Sequence, residues 1–300
     1  MGELLHIPVL LKATLEALHV RSGGRYVDGT FGRGGHSRAI AEKGGEVLGI
    51  DRDDDAVASA GGIKVIKGRH GDMERIVRES GWDGVDGILL DLGVSSPQLD
   101  EAGRGFSFLR DGPLDMRMDR SGGLSAADLV NSDSAESLEK IFREFGEEKQ
   151  ARRIARAIVR ARETKALQTT GELAALVERT VGRRNSRHPA TKVFQALRMA
   201  VNDEIGELER ALAGGLRLLN GGGRFAVITF ESLTDRIVKR FFAAHVGRTV
   251  SLQSGGAEWE GELPRVKAVT RKAVVADEKE VDLNPRSRSA KLRVVEKEIA

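Results

Sequence analysis

The residues best suited to chemistry lie in a glycine-rich segment near the amino terminus. Residues 27–36 have the sequence VDGTFGRGGH. Glycines let a backbone turn tightly beside a ligand. A helix that begins directly after them presents free N–H groups to an anionic or carboxylate group. An acid, Asp28, ends the apolar strand predicted before this run. The pattern therefore predicts a nucleotide-binding loop between a strand and a helix.

The spacing of these glycines separates two classes of nucleotide-binding protein. The dinucleotide fingerprint is G-x-G-x-x-G. Here the order is G-x-x-G-x-G-G, from Gly29 to Gly34 and Gly35, and Asp28 stands just before it. This arrangement does not fit the dinucleotide pattern. It is typical of methyltransferases that use S-adenosylmethionine.

A second acid ends the next predicted strand. Asp51 follows Asp28 by 23 residues and closes the segment EVLGID. An acid at this point of a Rossmann-like fold accepts hydrogen bonds from ribose hydroxyls, and it would repel the 2′-phosphate of NADP. The acids that follow, at 53–55, are equally typical of a helix amino terminus stabilised by the helix dipole. We therefore predict ribose binding for Asp51 alone.

A third acid follows a strand without polar alternation. Asp91 ends the segment GILLD and begins DLGVSSPQ, residues 91–98. Open α/β sheets bind ligands at the carboxyl ends of their strands. We predict that Asp91 accepts a hydrogen bond from a ligand amino group or from a substrate base. The other interpretation of this segment is an ordinary turn after a strand.

Strands and helices alternate at both ends of the chain but not in its middle. Apolar segments predict strands at 25–28, 46–51, 63–66, 87–91 and 224–230. Such alternation favours a parallel, doubly wound sheet. From about 103 to 219 the pattern is loop and then helix, including one uninterrupted helical period over 193–214. We predict an α/β domain formed by 1–105 and 215–300, with an all-helical domain, 106–214, inserted into it.

Positive charge is concentrated in the predicted insertion. The chain carries 48 Lys and Arg against 45 Asp and Glu, but residues 149–200 contain 13 basic and 3 acidic side chains. A basic block in an otherwise mildly acidic protein predicts an anionic partner. We assign this surface to Arg152, Arg153, Arg156 and Arg160 and to the segment 183–188. The alternative is a solvated helix face without a partner.

Composition excludes several other classes of protein. The apolar runs are only a few residues long, so no transmembrane helix is expected. The amino terminus lacks the pattern of a secretory signal. The absence of cysteine excludes disulfides, thiolate metal sites and a cysteine nucleophile. The histidines lack metal-ligand spacing. We expect a cytoplasmic protein with no membrane association and no metal.

Several segments together resemble one family, the bacterial small-subunit ribosomal RNA cytosine-N4 methyltransferases, also called MraW or methyltransferase H. The resemblance spans nearly the whole chain. It is carried by HIPV at 6–9, DGTFGRGGHS at 28–37, DLGVSSPQ at 91–98, RGFSF at 104–108, GPLDMRMD at 112–119, FQALR at 194–198 and NPRSRSAKLR at 284–293.

The resemblance implies a fold, a reaction and a set of site residues. The fold is a Rossmann-like class I methyltransferase sheet with an inserted helical domain that recognises RNA. The cofactor is S-adenosylmethionine, and the reaction is N4-methylation of a cytidine in the decoding region of 16S rRNA within the small ribosomal subunit. The implied cofactor contacts are Gly34, Gly35, His36, Asp51, Met73, Asp91 and Gln98.

Three positions depart from the family pattern. Met73 stands where the family usually has an aromatic residue, and Glu231 and Thr234 stand where it typically has His and Glu. The catalytic residues therefore stay unassigned. His36 has two interpretations, a ligand contact or a hydrogen bond to a backbone carbonyl.

Two other classes of function are compatible with parts of the pattern. A nicotinamide dehydrogenase shares the Rossmann-like alternation, although the glycine spacing does not fit one. A non-catalytic RNA-binding protein would explain the basic block but not the acids that end the strands. The sequence does not fix the oligomeric state and is compatible with a homodimer.

Overall fold

The computed structural model describes residues 8–183, 188–251 and 256–299. The chain divides into two units. The first consists of the chain up to Gly93 and from Gly206 onward, and the second is Val94–Ile205. The described strands are β1 Arg25–Asp28, β2 Glu46–Asp51, β3 Lys64–Lys67, β4 Val85–Asp91, β5 Leu219–Thr229, β6 Arg248–Ser251, β7 Ala257–Glu260, β8 Val266–Ala268 and β9 Lys291–Lys297.

The helices are distributed over both units. They are α1 Leu11–Leu18, α2 Gly35–Glu42, α3 Asp54–Ala58, α4 Met73–Glu79, α5 Ser96–Asp100, α6 Ala126–Ser132, α7 Ala135–Glu144, α8 Ala151–Thr164, α9 Thr170–Val181, α10 Ala190–Val201, α11 Glu204–Leu218, α12 Ser232–Val246 and α13 Glu278–Leu283. Short 3-10 turns span His70–Asp72, Ala102–Arg104 and Pro285–Ser289. None of these described helices is both long and apolar enough to cross a membrane.

The first unit is a Rossmann-like α/β unit around a seven-stranded sheet. The strand order is β3-β2-β1-β4-β5-β9-β8. The first five strands are parallel, and β9 is antiparallel to both β5 and β8. The order reverses between β1 and β4, which makes the crevice at their carboxyl ends the expected ligand site.

Both faces of this sheet are covered, which explains why β4 lacks polar alternation. Ile88 and Leu90 belong to the core cluster that includes residues of α4, α11 and α12. Leu89 points to the opposite face and joins the cluster that includes residues of α1 and α2. All three side chains have no exposed surface. Burial on both faces leaves the ends of the strands as the place for polar groups.

The second unit is all-helical, as predicted for the insertion, and has a separate apolar core. Its described helices, α5 to α10, contribute side chains such as Phe142, Ile154, Leu173 and Leu197 to one buried cluster. Capping boxes at Ser125 and Thr169 start α6 and α9.

The second unit, Val94–Ile205, begins and ends earlier in the chain than the predicted domain of 106–214. The first break falls after Gly93. Residues 94–105 are part of the second unit, where the buried Arg104 side chain donates to the Met118 carbonyl oxygen at 3.0 Å. The second break falls after Ile205 because the following turns of α11 bury Leu208 and Leu212 in the sheet core.

The single helix predicted over 193–214 is wrong, because the chain breaks between α10 and α11. Asp203 adopts a left-handed φ of 49°. The buried Asn202 amide accepts a hydrogen bond from Met118 N at 2.9 Å and donates to the Met116 carbonyl oxygen at 2.8 Å. Asn202 therefore ends α10 where its side chain satisfies the backbone of the 116–118 loop.

Replacing Asn202 should destabilise the second unit. Asn202→Ala leaves two buried backbone groups without partners, so we expect a loss of about 2–3 kcal/mol in the free energy of unfolding. Urea denaturation followed by circular dichroism measures this change. Asn220→Ala, at an exposed position, is the control and should change stability by less than about 0.5 kcal/mol. Equal stability of the two variants would contradict the role assigned to Asn202.

Candidate functional site

The glycine-rich loop connects β1 to α2 beside the end of β4. Asp28 pairs with Leu89 in the parallel ladder, and Gly29 N then donates to the Leu89 carbonyl oxygen at 2.9 Å. One residue further, Thr30 Oγ1 accepts a hydrogen bond from Asp91 N at 2.6 Å. The loop is therefore attached to the carboxyl end of β4 by two successive bonds.

Asp28, the last residue of β1, anchors the glycine-rich loop. Its carboxylate is 1% exposed. Oδ2 accepts from Ser37 Oγ at 2.6 Å, and Oδ1 accepts from Thr30 N at 3.2 Å. Burial raises the pKa of Asp28 to about 6, although these hydrogen bonds act to lower it. Asp28 therefore holds the loop and the first turn of α2 together.

The predicted glycines are required by two different local constraints. Gly34 adopts a left-handed φ of 70°, which side-chain-bearing residues rarely tolerate. Gly35 begins α2, and a Cβ at this position would clash with the ring of Pro8. Pro8 belongs to the HIPV segment, whose first two residues, His6 and Ile7, lie outside the described residues.

His36 connects the start of α2 with the end of β4. Its ring is 6% exposed, and Nε2 lies 3.1 Å from the Val9 carbonyl oxygen. That oxygen can only accept, so Nε2 carries the proton. Nδ1 then faces Asp91 Oδ2 at 3.9 Å. The backbone hydrogen bond considered from the sequence is therefore present, and the opposite side of the ring faces an acid.

The hydrogen bonding of the Asp91 carboxylate is incomplete. Its Oδ1 atom is buried and has no hydrogen-bond partner among the described residues. Burial, and secondly the charge of Asp28, raise the pKa of Asp91 to about 7. A buried acceptor without a donor is unfavourable. A ligand that brings a donor or a positive charge to Asp91 would remove this deficit.

Asp51 is attached to the same loop from β2. Oδ2 accepts from Gly32 N at 2.8 Å, and Oδ1 accepts from Asp53 N at 2.9 Å. Burial raises the pKa of Asp51. Each carboxylate oxygen retains a further lone pair, so the group is still able to accept from hydroxyl groups.

The other two predicted contacts occupy different environments. The Met73 side chain is fully buried, and its methyl group lies close beneath Gly29. Gln98 belongs to the second unit, where its Oε1 accepts from Ser95 N at 3.0 Å in the capping box of α5. The structure thus places Gly34, Gly35, His36, Asp51, Met73 and Asp91 in the first unit and Gln98 in the second.

Sequence reasoning missed the hydroxyl groups that complete this arrangement. Ser37 and Thr30 bind Asp28 and the end of β4, respectively. The signal that could have identified Ser37 is a hydroxyl group in the first turn of the helix that follows a strand ending in an acid. Glu231 and Thr234 also depart from the family pattern. Thr234 Oγ1 donates to the Glu231 carbonyl oxygen at 3.1 Å, so the two residues are joined in the first turn of α12.

The charges favour a cationic ligand. Asp28 and Asp91 end neighbouring strands, and each has a raised pKa. Within the residues the structure describes, no group of three or more His, Asp or Glu side chains could hold a metal ion. The arrangement offers carboxylate acceptors, loop amides and a helix start, which suit a ligand carrying amino, hydroxyl and carboxylate groups.

Comparison with known proteins places this arrangement in a family. The model of the MraW methylase family matches residues 3–298. The chain is 51% identical to the ribosomal RNA small subunit methyltransferase H of Parvibaculum lavamentivorans over 98% of this chain and 90% of that protein. It is 48% identical to the protein of the same name from Citrifermentans bemidjiense, over 99% and 100%.

Solved structures are more distant. A putative rRNA methylase from Clostridium thermocellum aligns over 98% of this chain and 100% of its own, with 14% identity and a TM-score of 0.43. An rRNA methylase from Streptococcus thermophilus aligns over 96% and 94%, with 11% identity and a TM-score of 0.41. The family match extends over nearly the full length and includes the loop, the strand-end acids and the helical unit. The chain therefore belongs to the MraW methylase family.

Proposed function

We propose that this protein transfers a methyl group from S-adenosylmethionine to N4 of a cytidine in the decoding region of 16S rRNA within the small ribosomal subunit. Membership of the MraW methylase family supports methyl transfer and argues against a nicotinamide dehydrogenase or a non-catalytic RNA-binding protein. The relatives named small subunit rRNA methyltransferase support the substrate class. The single observation that carries the proposal is Asp91 Oδ1, which is buried beside the glycine loop and has no hydrogen-bond partner in the described parts of the chain.

The described residues fit the chemical groups of this cofactor. When bound, S-adenosylmethionine supplies an electrophilic methyl group on a positively charged sulfur. Asp51 would accept from the ribose hydroxyls, as acids at the end of the second strand do in related folds. The start of α2 at Gly34 and Gly35 suits the carboxylate. Asp91 and the adjoining His36 would face the ammonium group.

The substrate nitrogen sets a further requirement. The exocyclic amine of cytosine is a poor nucleophile because its lone pair is delocalised into the ring. Acceptors must bind its N–H hydrogens, and the site must align the nitrogen with the methyl group. Asp91 is a candidate acceptor in the first unit, and Ser95 and Ser96 are candidates in the second. Methylation of C5 normally needs a cysteine nucleophile, which the chain lacks, so N4 is the position we propose.

RNA binding is proposed for the second unit. Lys149, Gln150, Arg152, Arg153, Arg156 and Arg160 line an open groove of about 550 Å³ along α8. The apolar side chains Ile154 and Ile158 are buried in the core of the second unit. The four arginines of α8 that line the groove are exposed. No ion-pair partner for these five cations occurs in the described parts of the chain. Residues 184–187 of the second predicted basic segment lie outside the described residues.

The spacing of the arginines suits a nucleic-acid backbone. Arg152, Arg156 and Arg160 follow one another at four-residue intervals on α8. With a rise of about 1.5 Å per residue, they are about 6 Å apart along the helix axis. Successive phosphates of an RNA strand have a similar separation. The groove would therefore contribute salt-dependent affinity, while the target base is selected elsewhere.

Methyl-transfer assays test the proposed reaction. We expect tritium from the cofactor to enter small ribosomal subunits, with nucleoside analysis identifying N4-methylcytidine. Free cytidine should be a poor substrate because it lacks the RNA surface that the basic groove would bind. Label on C5 or on a ribose hydroxyl would contradict the N4 assignment. Rapid methylation of free cytidine would contradict recognition through an extended surface.

Cofactor affinity should increase with pH. The pKa of Asp91 is about 7 in the free protein, and a cationic ligand favours its ionised form. Below pH 7, affinity for S-adenosylhomocysteine, which retains the ammonium group, should fall by up to about tenfold per pH unit. Above pH 7, affinity should level off. Calorimetry in two buffers of different ionisation enthalpy should detect proton release on binding below pH 7.

Matched variants identify the titrating group. Asp91→Asn should bind more weakly and lose most of the pH dependence. Asp28→Asn should retain a dependence on pH with its midpoint moved lower, because the neighbouring charge that raises the pKa of Asp91 is removed. A pH dependence that is unchanged in Asp91→Asn would exclude Asp91 as its source.

The salt dependence of RNA binding tests the groove. Replacing Arg152, Arg153, Arg156 and Arg160 with Gln should weaken rRNA binding and leave cofactor binding unchanged. The slope of log K against log salt should flatten by about 0.7–0.9 for each phosphate that is no longer neutralised by an arginine. Fluorescence anisotropy with a decoding-region fragment measures both quantities.

The control removes the same number of charges elsewhere. Arg75, Arg78, Arg143 and Arg248 each form an ion pair with a nearby glutamate. Changing these four to Gln alters the net charge equally. If both quadruple variants flatten the slope by the same amount, net charge rather than the groove determines RNA affinity.

A further inference from the structure

Helix α11 brings a buried carboxylate to the segment that precedes α4. Glu207 is 2% exposed. Its Oε2 accepts from Gly71 N at 3.0 Å, and its Oε1 accepts from Arg210 Nη2 at 2.7 Å and from Arg69 Nη1 at 3.2 Å. One carboxylate thus binds a backbone amide and two guanidinium groups, all within the first unit.

Glu207 is ionised at neutral pH. Burial is the largest influence and acts to raise its pKa, but the hydrogen bonds from Arg210, Arg69 and Gly71 and the influence of His70 together hold the pKa below its usual value. The neighbouring His70 is neutral, because burial and the charge of Arg52 lower its pKa to about 4. The bond to Gly71 is therefore charge-assisted, which makes it about twice as strong as a bond between neutral groups.

The carboxylate reaches Gly71 only because that residue has no side chain. A Cβ on Gly71 would clash with Glu207 Oε2. The backbone φ of Gly71 is not positive, so this residue does not adopt the left-handed conformation that favours glycine. Contact with Glu207, rather than backbone conformation, is thus what favours glycine at this position.

The segment held by Glu207 lies against the glycine loop. Cβ of His70 and the methyl group of Met73 each lie 3.4 Å from the position that a Cβ on Gly29 would occupy. Gly29 directly follows Asp28, the anchor of the loop. The His70–Met73 segment is also the one in which the family resemblance puts a cofactor contact, at Met73. Glu207 therefore fixes the backbone next to the proposed cofactor site without touching the acids of that site.

We infer that Glu207 is a positioning residue for the nucleoside half of the cofactor. By binding Gly71 N it holds the His70–Met73 segment against the glycine loop, so that this edge of the nucleoside site is formed before the ligand arrives. Preorganisation of this kind strengthens binding because less of the interaction energy is used to order the segment. The inference rests on the proposed function, since it assumes an adenosine-containing ligand.

The experiment compares variants that break the Gly71 bond with variants that leave it in place. Glu207→Ala removes the carboxylate that accepts from Gly71 N. Gly71→Ala instead adds a methyl group that pushes this carboxylate away from the backbone amide. Both should weaken S-adenosylhomocysteine binding by about tenfold or more. Adenosine alone should lose the same factor, because the effect concerns the nucleoside. With the cofactor at saturation, kcat should stay within about twofold of the wild type, since the change is confined to ligand binding.

Four further variants separate positioning from general stability. Arg69→Gln and Arg210→Gln each remove one guanidinium but retain the Gly71 bond, so their affinities should change by less than about threefold. Glu209→Gln alters an exposed acid on the same helix and should change nothing. The double variant Gly71→Ala/Glu207→Ala should bind no more weakly than the worse single variant, because both changes break one bond.

The outcomes separate this inference from the proposed function. Wild-type affinity for adenosine in folded Glu207→Ala and Gly71→Ala would overturn the inference while leaving the proposed function intact. A wild-type protein that binds neither adenosine nor S-adenosylhomocysteine would overturn both. If Glu207→Ala fails to fold, Glu207→Gln and Gly71→Ala carry the test. If the loss of affinity is proportional to the loss of thermal stability across all the variants, Glu207 stabilises the fold in general and does not position the cofactor.

Discussion

The buried carboxylate of Asp28 is the constraint on which the candidate site depends. A charged group at 1% exposure is unfavourable unless hydrogen bonds compensate for lost hydration. Its donors Ser37 Oγ and Thr30 N both belong to the segment that follows β1. Satisfying Asp28 thus folds the loop back over the strand end and sets where α2 begins. Thr30 then uses its hydroxyl to bind Asp91 N, which extends the same constraint to β4.

The carboxyl groups of the candidate site favour a positively charged ligand. Burial raises the pKa of both Asp28 and Asp91, and the charge of Asp28 raises the pKa of Asp91 further. Near neutral pH Asp91 is about half protonated, because its pKa is about 7. A ligand with a positive charge would convert it to a carboxylate and supply the donor that Oδ1 lacks. Binding of such a ligand would therefore remove the unfavourable energy that the protein has at Asp91.

Local patterns in the sequence predicted the sheet and the strand-end acids but not the contacts between distant segments. Apolar runs ended by acids indicated β1, β2 and β4, because doubly covered parallel strands lack polar alternation. The break after Val201 escaped prediction, since Val201 and Ile205 maintain helical spacing and the partners of Asn202 are more than 80 residues away. Glu207 was missed for a similar reason. A single glutamate in a helix usually indicates an exposed position, and its partners Arg69 and Gly71 lie over 130 residues earlier.

The distribution of charge explains why an acidic methyl-transfer site and an RNA substrate are compatible. The carboxylates that suit a cationic cofactor repel phosphates, so the first unit cannot attract RNA through the same groups. Affinity for the backbone must come from elsewhere, and the groove on α8 concentrates five cations without a lining acid. A nucleotide base is uncharged and can approach Asp91, whereas the approach of a phosphate to Asp91 is unfavourable. We therefore expect the target nucleotide to enter with its base turned out of the stack, since only the base tolerates the potential around Asp28 and Asp91.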